Sequence, residues 1–443
     1  MKRFSIIILV FTVLWSCQNK ENIIVTTEDY HASVDKVTQV MVHDIFSPPV
    51  ASRVFAYPNI AAYEIMASKH SDNNSLVGQI AQLTKIPQPK DTTNLNFELA
   101  ALVAHMELSK RLIFSEQMVE QFRDSLYTKW EAINSKQFEI SKTYGEEVAD
   151  FIGEWMDTDN YKETRTMPKF SVFSDDPSRW QPTPPAYMDG IEPHWNKIRP
   201  FTLDSAAQFK PVPPPSFSMD KESDFYKELE EVYAISNEIT EKGDTSEELQ
   251  IAQFWDCNPY VSITRGHLMF ATKKITPGAH WIGITKIACR KSDYDMMNTI
   301  NAYTKTSLGI FEAFISCWDE KYRSNLIRPE TLINKHFDDS WKSILQTPPF
   351  PEYTSGHSVV SGSASTVLTA IFGDNFQFDD DTEIPYGLPV RSYQSFDKAA
   401  DEAAISRLYG GIHYRAAVGI GLQQGRALGD FVVDKLEIIA KGK

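Results

Sequence analysis

Leu95, Leu99, Leu102 and Met106 recur at three- and four-residue steps, and Ile113 continues the same face two turns on. That is the period of an amphipathic helix. The surrounding stretch, Asn94 to Trp155, therefore predicts two long helices. Shorter helical patterns cover Val34 to Ile45 and Asn59 to Lys69 before it. After it they cover Asp220 to Glu241 and Ser246 to Asp256. A long helix is expected from Asp293 to Ser324, and others over Ser358–Phe372, Lys398–Tyr409 and Tyr414–Ile439. β-Branched alternation is brief everywhere and no repeat of fixed period appears. The expected fold is all-α, made of packed helix bundles.

One region breaks the pattern. Met167 to Pro215 holds Pro168, Pro177, Pro193, Pro200 and two proline clusters, so it cannot be a helix. It also carries Phe170, Phe173, Trp180, Tyr187 and Trp195, too many aromatic residues for a free linker. An irregular connector packed across the helices is expected. The chain then divides into residues 17–165 (helical), 166–215 (connector) and 216–440 (helical). Ahead of these, Lys2 and Arg3 precede the apolar run Ile6–Trp15, the form of a secretory leader over residues 1–16. Leu14-Trp15-Ser16-Cys17 resembles a lipobox, with Cys17 as a lipidated mature N-terminus. Export follows as an expectation, to the periplasm, the outer membrane or the medium. Contact with membrane is expected only through a lipid on Cys17.

Composition narrows the chemistry. The formal net charge is −15, with no basic stripe, which argues against nucleic acid as a partner. Any local cluster of cations is correspondingly more informative. Cys257, Cys289 and Cys317 are widely spaced and read as buried free thiols. The ten histidines include no HExxH or comparable spacing. The acidic run Asp374–Glu383 lacks the glycine and ligand spacing of a calcium loop and reads as solvated.

Such a cluster lies in the last third. Lys321 and Arg328 are seven apart, followed by Pro329, which is expected to end their helix. Ser355-Gly356-His357 stands at the start of the Ser358–Phe372 helix, where free backbone N–H groups bind anions. Arg407 and His413 are six apart, with Gly410–Gly411 between them to turn the chain. Each segment alone has an ordinary explanation: a solvated basic face, an N-cap serine, a helix end before a core histidine. Together they describe a cation cage for a tetrahedral oxyanion, with His357 and His413 beside it as nucleophile or metal ligand and as acid–base.

The three segments resemble the signature of the type 2 phosphatidic acid phosphatase and vanadium-dependent haloperoxidase superfamily. Its motifs are Lys, six residues and Arg-Pro; Ser-Gly-His; and Ser-Arg, five residues and His. The resemblance is specific over about Asp256 to Asp430, and the integral-membrane phosphatases are set aside because no long apolar span is present. Trp318 and Phe350, three before Lys321 and five before Ser355, resemble the fungal chloroperoxidases at those offsets. The overall pattern is similar to the iodoperoxidases of marine flavobacteria. The resemblance implies a vanadate cofactor bound through His413 and held by Lys321, Arg328, Ser355, Gly356, His357 and Arg407. It implies His357 as proton shuttle, Lys321 as the group that polarises peroxide, and Tyr260, Trp318 and Phe350 on the halide side. Catalysis is thus expected from His357, His413 and Lys321, with hydrogen peroxide and halide (iodide first, then bromide) as substrates.

Two positions depart from the pattern. Thr354 replaces the proline before Ser355, and Ala417 stands where an acid that orients the last histidine is often found. The missing acid leaves the support of His413 open and weighs against a phosphatase, which needs a nucleophilic imidazole. Two further readings stay open: an acid phosphatase with a phosphohistidine at His413, and an envelope protein that binds phosphate or vanadate without turnover.

Overall fold

In the computed structural model, the described residues are 21–69, 74–265, 268–271 and 273–437. The leader and Cys17 lie outside them. Thirteen α-helices are found among the described residues: α1 (Thr27–His43), α2 (Pro48–Lys69), α3 (Phe97–Lys110), α4 (Glu116–Met156), α5 (Tyr161–Thr164), α6 (Asp224–Lys242), α7 (Glu247–Phe254), α8 (Pro277–Lys291), α9 (Met296–Ser324), α10 (Pro329–His336), α11 (Gly356–Phe372), α12 (Phe396–Tyr409) and α13 (Arg415–Lys435). Two antiparallel hairpins add β1 (Ser262–Arg265) with β2 (Leu268–Ala271), and β3 (Phe378–Asp380) with β4 (Arg391–Tyr393). The all-α expectation holds. No helix among the described residues is long and apolar enough to cross a membrane.

Helix α9 is the spine. It packs on α2 along one side and on α11 along another, and one hydrophobic core runs from α2, α3 and α4 through α9 to α11. Where the apolar stripe is one-sided the sequence expectation lands close, as in α6; α9 also lands close although nearly every residue from Met296 to Lys321 is buried. Helix α2 begins eleven residues before its expected start at Asn59. Every residue from Pro48 to Ala67 is buried, so no polar face marks a period, and Pro58 sits inside the helix. Helices α8 and α10 and both hairpins were not expected. Pro329 does not end a helix. Asn325, in the left-handed conformation, closes α9, and Pro329 opens α10 at a position where a missing N–H costs nothing.

The pair α11–α13 fixes the site. Gly421, Gly425 and Gly429 lie four apart on one face of α13. A Cβ on Gly425 would come within 2.1 Å of the Val359 carbonyl oxygen, and one on Gly429 within 2.8 Å of that of Ser363. The helices therefore touch backbone to backbone, and an alanine at either position would force them apart. This contact sets the N-terminus of α11 against the N-terminus of α13, where the second and third segments meet.

The connector is irregular, with one short 3-10 turn at Trp195–Lys197. Trp180 and Trp195 are fully buried, and the N–H groups of Phe201 and Thr202 both donate to the Glu312 carboxylate on α9.

Candidate active site

Each segment delivers its side chains from a helix end. Lys321 lies in the last turn of α9, Arg328 is the residue before α10, and Ser355 caps α11 by accepting from the Ser358 N–H at 3.3 Å. Arg407 is near the C-terminus of α12. Gly411, at φ 74°, turns the chain so that His413 lies one residue before Tyr414, the N-cap of α13, which begins at Arg415. The long sequence gaps close: Gly356, His357, Arg407 and His413 line one cavity. Tyr260, Trp318 and Phe350 line it too, joined by Pro48, Pro259, Pro277 and Pro348.

His413 has a fixed tautomer. Its Nε2 lies 3.1 Å from Arg328 Nη1, and a guanidinium can only donate, so Nε2 is the bare acceptor. Nδ1 therefore carries the proton and donates it to Glu352 Oε1 at 2.7 Å, which also accepts the Tyr414 N–H at 3.0 Å. Burial disfavours charge on both partners. It pushes the Glu352 carboxyl up to about 8, against the pull of Arg328 and Lys321. With the neighbouring cations, it pushes the His413 ring well below its usual range.

His357 is set the same way. The Trp255 carbonyl takes a hydrogen bond from it, and Nε2 is buried with no partner. Nδ1 is therefore the donor, and Nε2 is a free lone pair at the cavity. Burial, then Arg407 and His280, hold this ring well below its ordinary value. The same Trp255 carbonyl accepts Arg407 Nη1 at 2.7 Å.

The cations are paired almost entirely with carbonyls. Arg328 donates to the Phe350 and Ile412 carbonyls at 2.9 and 2.8 Å, and its Nη2 has no partner. Arg407 Nε has none either. Burial pulls Arg328 down to about 10 and lowers Arg407. Lys321 Nζ sits behind the cavity wall and donates to the carbonyls of Pro351, Glu352 and Thr354. Burial pulls its ammonium down to about 7. Phe350 is sandwiched between Lys321 Nζ at 4.9 Å and the Arg328 guanidinium at 5.0 Å from its ring centre.

A tetrahedral oxyanion fits this arrangement. Buried N–H groups of Arg328 and Arg407 lack acceptors, Gly356 presents backbone N–H at a helix start, and a Cβ there would meet nothing closer than 3.5 Å. The bare Nε2 of His413 adds a ligand atom. These residues fit vanadate.

Sequence reading missed three supports. Glu352 supplies the acid that Ala417 cannot, so the open support of His413 is closed and the argument drawn from its absence falls. An acid inside the aromatic Phe350–Tyr353 stretch was the available signal. Ala417 still contributes through its backbone, accepting the Ser355 N–H at 3.1 Å. Trp255 holds Arg407 and His357 with one carbonyl. The acidic run is also corrected: Asp380 and Glu383 are buried against His280, because that ring pairs with both.

Comparisons with known proteins agree with this fold. The family model for the second helical-bundle domain of VCPO matches residues 334–442. A bacterial vanadium-dependent iodoperoxidase of known crystal structure is 68% identical, with a TM-score of 0.92, over 96% of this chain and 100% of that one. A holo-type bacterial vanadium-dependent chloroperoxidase shares the fold at 16% identity and a TM-score of 0.67, over 94% and 97% of the two chains. The vanadium-dependent bromoperoxidase of Corallina officinalis is 37% identical over 78 residues, 15% of this chain and only 13% of that protein's length. The chain belongs to the vanadium-dependent haloperoxidases. Vanadate is its cofactor, and hydrogen peroxide and halide are its substrates.

Proposed function

We propose that this haloperoxidase prefers iodide, with vanadate held by His413 Nε2, Arg328, Arg407, Lys321, Ser355 and the Gly356 N–H. The observation that carries the cofactor assignment is the bare Nε2 of His413, fixed between Arg328 and Glu352 beside cations that lack acceptors. Bound vanadate supplies Lewis acidity that activates peroxide towards halide. The chain does the rest. Nδ1–H of His413 stays on Glu352 and keeps Nε2 free for the metal. His357 Nε2 accepts a proton from incoming peroxide and returns it to the departing oxygen. Lys321, with its charge near balance at neutral pH, adds positive potential behind the oxidant.

The cavity walls support iodide. Prolines and the rings of Tyr260, Trp318 and Phe350 offer few polar partners. Iodide is the least strongly hydrated of the three halides and loses least on entering such a wall. The 68% identical iodoperoxidase is consistent with that choice. Lys2, Arg3 and the apolar run to Trp15 support export, with Cys17 available for lipidation.

The test is a paired assay. Protein stripped with chelator and reloaded with vanadate should form triiodide from iodide and peroxide, with bromide oxidised far more slowly. Equal rates on bromide would discard the preference. Hydrolysis of p-nitrophenyl phosphate that vanadate blocks, without halide oxidation, would discard the whole reading in favour of a phosphatase.

A further inference from the structure

Beside Trp255, where Cys257 also lines the vanadate cavity, three ligating atoms face one point. Cys257 follows α7, His280 is in the first turn of α8, and Glu383 comes from the loop after β3. All three are buried. Cys257 Sγ is 3.5 Å from His280 Nδ1 and 4.0 Å from Glu383 Oε1, and Nδ1 is 3.4 Å from the same Oε1. Zinc bonds of about 2.3 Å to sulfur and about 2.0–2.2 Å to nitrogen and oxygen, at tetrahedral angles, put such ligands roughly 3.3–3.6 Å apart. Two of the three separations fall in that range, and the third needs only a small closure.

The back of His280 supports the same reading. Its Nε2 lies 2.8 Å from Asp380 Oδ2 and 2.9 Å from Thr382 Oγ1, while that hydroxyl donates to Asp380 Oδ1 at 2.6 Å. Thr382 has spent its proton, so Nε2 is the donor. Burial alone would lower the ring's pKa, but Asp380 holds it well above the usual histidine range. An ion would displace the Nδ1 proton to gain a lone pair facing Cys257 and Glu383. A carboxylate behind the histidine is the usual support of a metal ligand. Trp255 stacks on the imidazole at 4.3 Å, and Phe254 closes another side at 5.5 Å. The alternative, a buried imidazolium between Asp380 and Glu383, explains both carboxylates. It leaves the Cys257 thiol only a weak contact.

We propose that Cys257, His280 and Glu383 bind a zinc-class divalent cation, with water as fourth ligand and Asp380 orienting His280. Binding releases the thiol proton, and thiolate plus carboxylate then neutralise the ion within a buried site. The ion would pin the segment after α7 to α8 and to the β3–β4 hairpin. That segment adjoins Trp255, whose carbonyl holds Arg407 and His357. The site adjoins the vanadate cavity through Cys257, takes none of its three ligands from the cage, and does not depend on which halide is oxidised.

The full-length protein is stripped with chelator, incubated with zinc in the presence and absence of vanadate, dialysed, and its metals counted by plasma mass spectrometry. One zinc per chain is expected, retained with or without vanadate. Cys257→Ala should lose it and Cys289→Ala should keep it. Asp380→Asn should weaken it about 10- to 100-fold. His413→Ala should retain it; loss of zinc there would put the ion in the vanadate cage and overturn the proposal. Wild-type protein holding no more zinc than Cys257→Ala would also overturn it. If Cys257→Ala does not fold by circular dichroism, cobalt decides on the wild type. A thiolate-to-cobalt charge-transfer band supports the site, and its absence refutes it.

Discussion

Arg53 and Arg407 are the same residue at nearly the same burial, 5% and 1% exposed, and they live by opposite rules. Arg53, on α2, donates Nε to Asp159 at 2.7 Å, and Asp159 also takes the Tyr57 hydroxyl and the Tyr161 N–H. That is a closed account: a buried cation, its counter-charge and further donors on the carboxylate. Arg407, on α12, meets only the Trp255 carbonyl, and its Nε is left without an acceptor. Arg328 repeats the pattern with two carbonyls and an idle Nη2. The helices α2–α4 spend buried charge on holding the fold. The helices α9–α13 keep it available for a guest anion, and the fold carries that cost when the guest is absent.

The largest effect should come from breaking the closed pair. Arg53→Met leaves Asp159 buried without its counter-charge and should destabilise the protein by about 3–5 kcal/mol, read by urea unfolding. The matching change at the open site behaves differently. Arg407→Met removes a cation with no buried carboxylate bonded to it, so anion-free stability should move by no more than about 1 kcal/mol, one hydrogen bond's worth. Its vanadate-dependent turnover should fall about 10²–10³-fold, the usual loss for one oxyanion donor. If Arg407→Met unfolded as readily as Arg53→Met, the distinction between the two regions would collapse.

The same contrast explains what the sequence could reveal. The cage was legible because each of its three parts is local: Lys321 with Arg328, the Ser355–His357 turn, and Arg407 with His413 are each carried by a few residues. Their partners were not. Glu352 is 61 residues from His413, and Trp255 is 152 from Arg407, distances at which no spacing rule operates. Cys257 and Glu383 are 126 apart, which is why the acidic run looked like a solvated loop. In the fold, the one-sided stripe of α6 gave that helix close to its true bounds. The N-terminal half of α2 was invisible for the opposite reason, because a helix buried all round has no contrast to read.

Glu352 sharpens the comparison, since among the described residues it is the carboxylate bonded to the cage histidine. It serves the histidine rather than neutralising an arginine. Glu352→Gln keeps an acceptor for Nδ1–H but can no longer ionise. It is the ionised carboxylate, gained above its raised value of about 8 or when an ion binds, that makes Nε2 more basic. Vanadium affinity should drop about 10- to 100-fold, with the fold intact; vanadium retained on gel filtration measures it. Unchanged retention would mean that the carboxylate is there for Arg328 and Lys321 after all, and that the cage is a closed account like that of Arg53.

The smallest effect is the dependence of anion binding on pH. Burial lowers Lys321 from its ordinary 10.5 to about 7 in the free protein. Below that value the cage carries Lys321, Arg328 and Arg407 as cations. Above it one positive charge is lost, and an anion must bring a proton with it to restore it. A bound anion raises the Lys321 pKa, so affinity weakens as pH rises from about 7 towards the bound-state value. The slope is at most about tenfold per pH unit, because one proton is taken up. Vanadate has its own protonation in this range, but the ratio of wild-type to Lys321→Met affinity cancels it. That ratio, measured by equilibrium dialysis from pH 6 to 9, should fall towards the alkaline end. A flat ratio would mean that the carbonyls of Pro351, Glu352 and Thr354 hold the ammonium charged throughout. Lys321 would then belong with Arg53, as a cation committed to the fold.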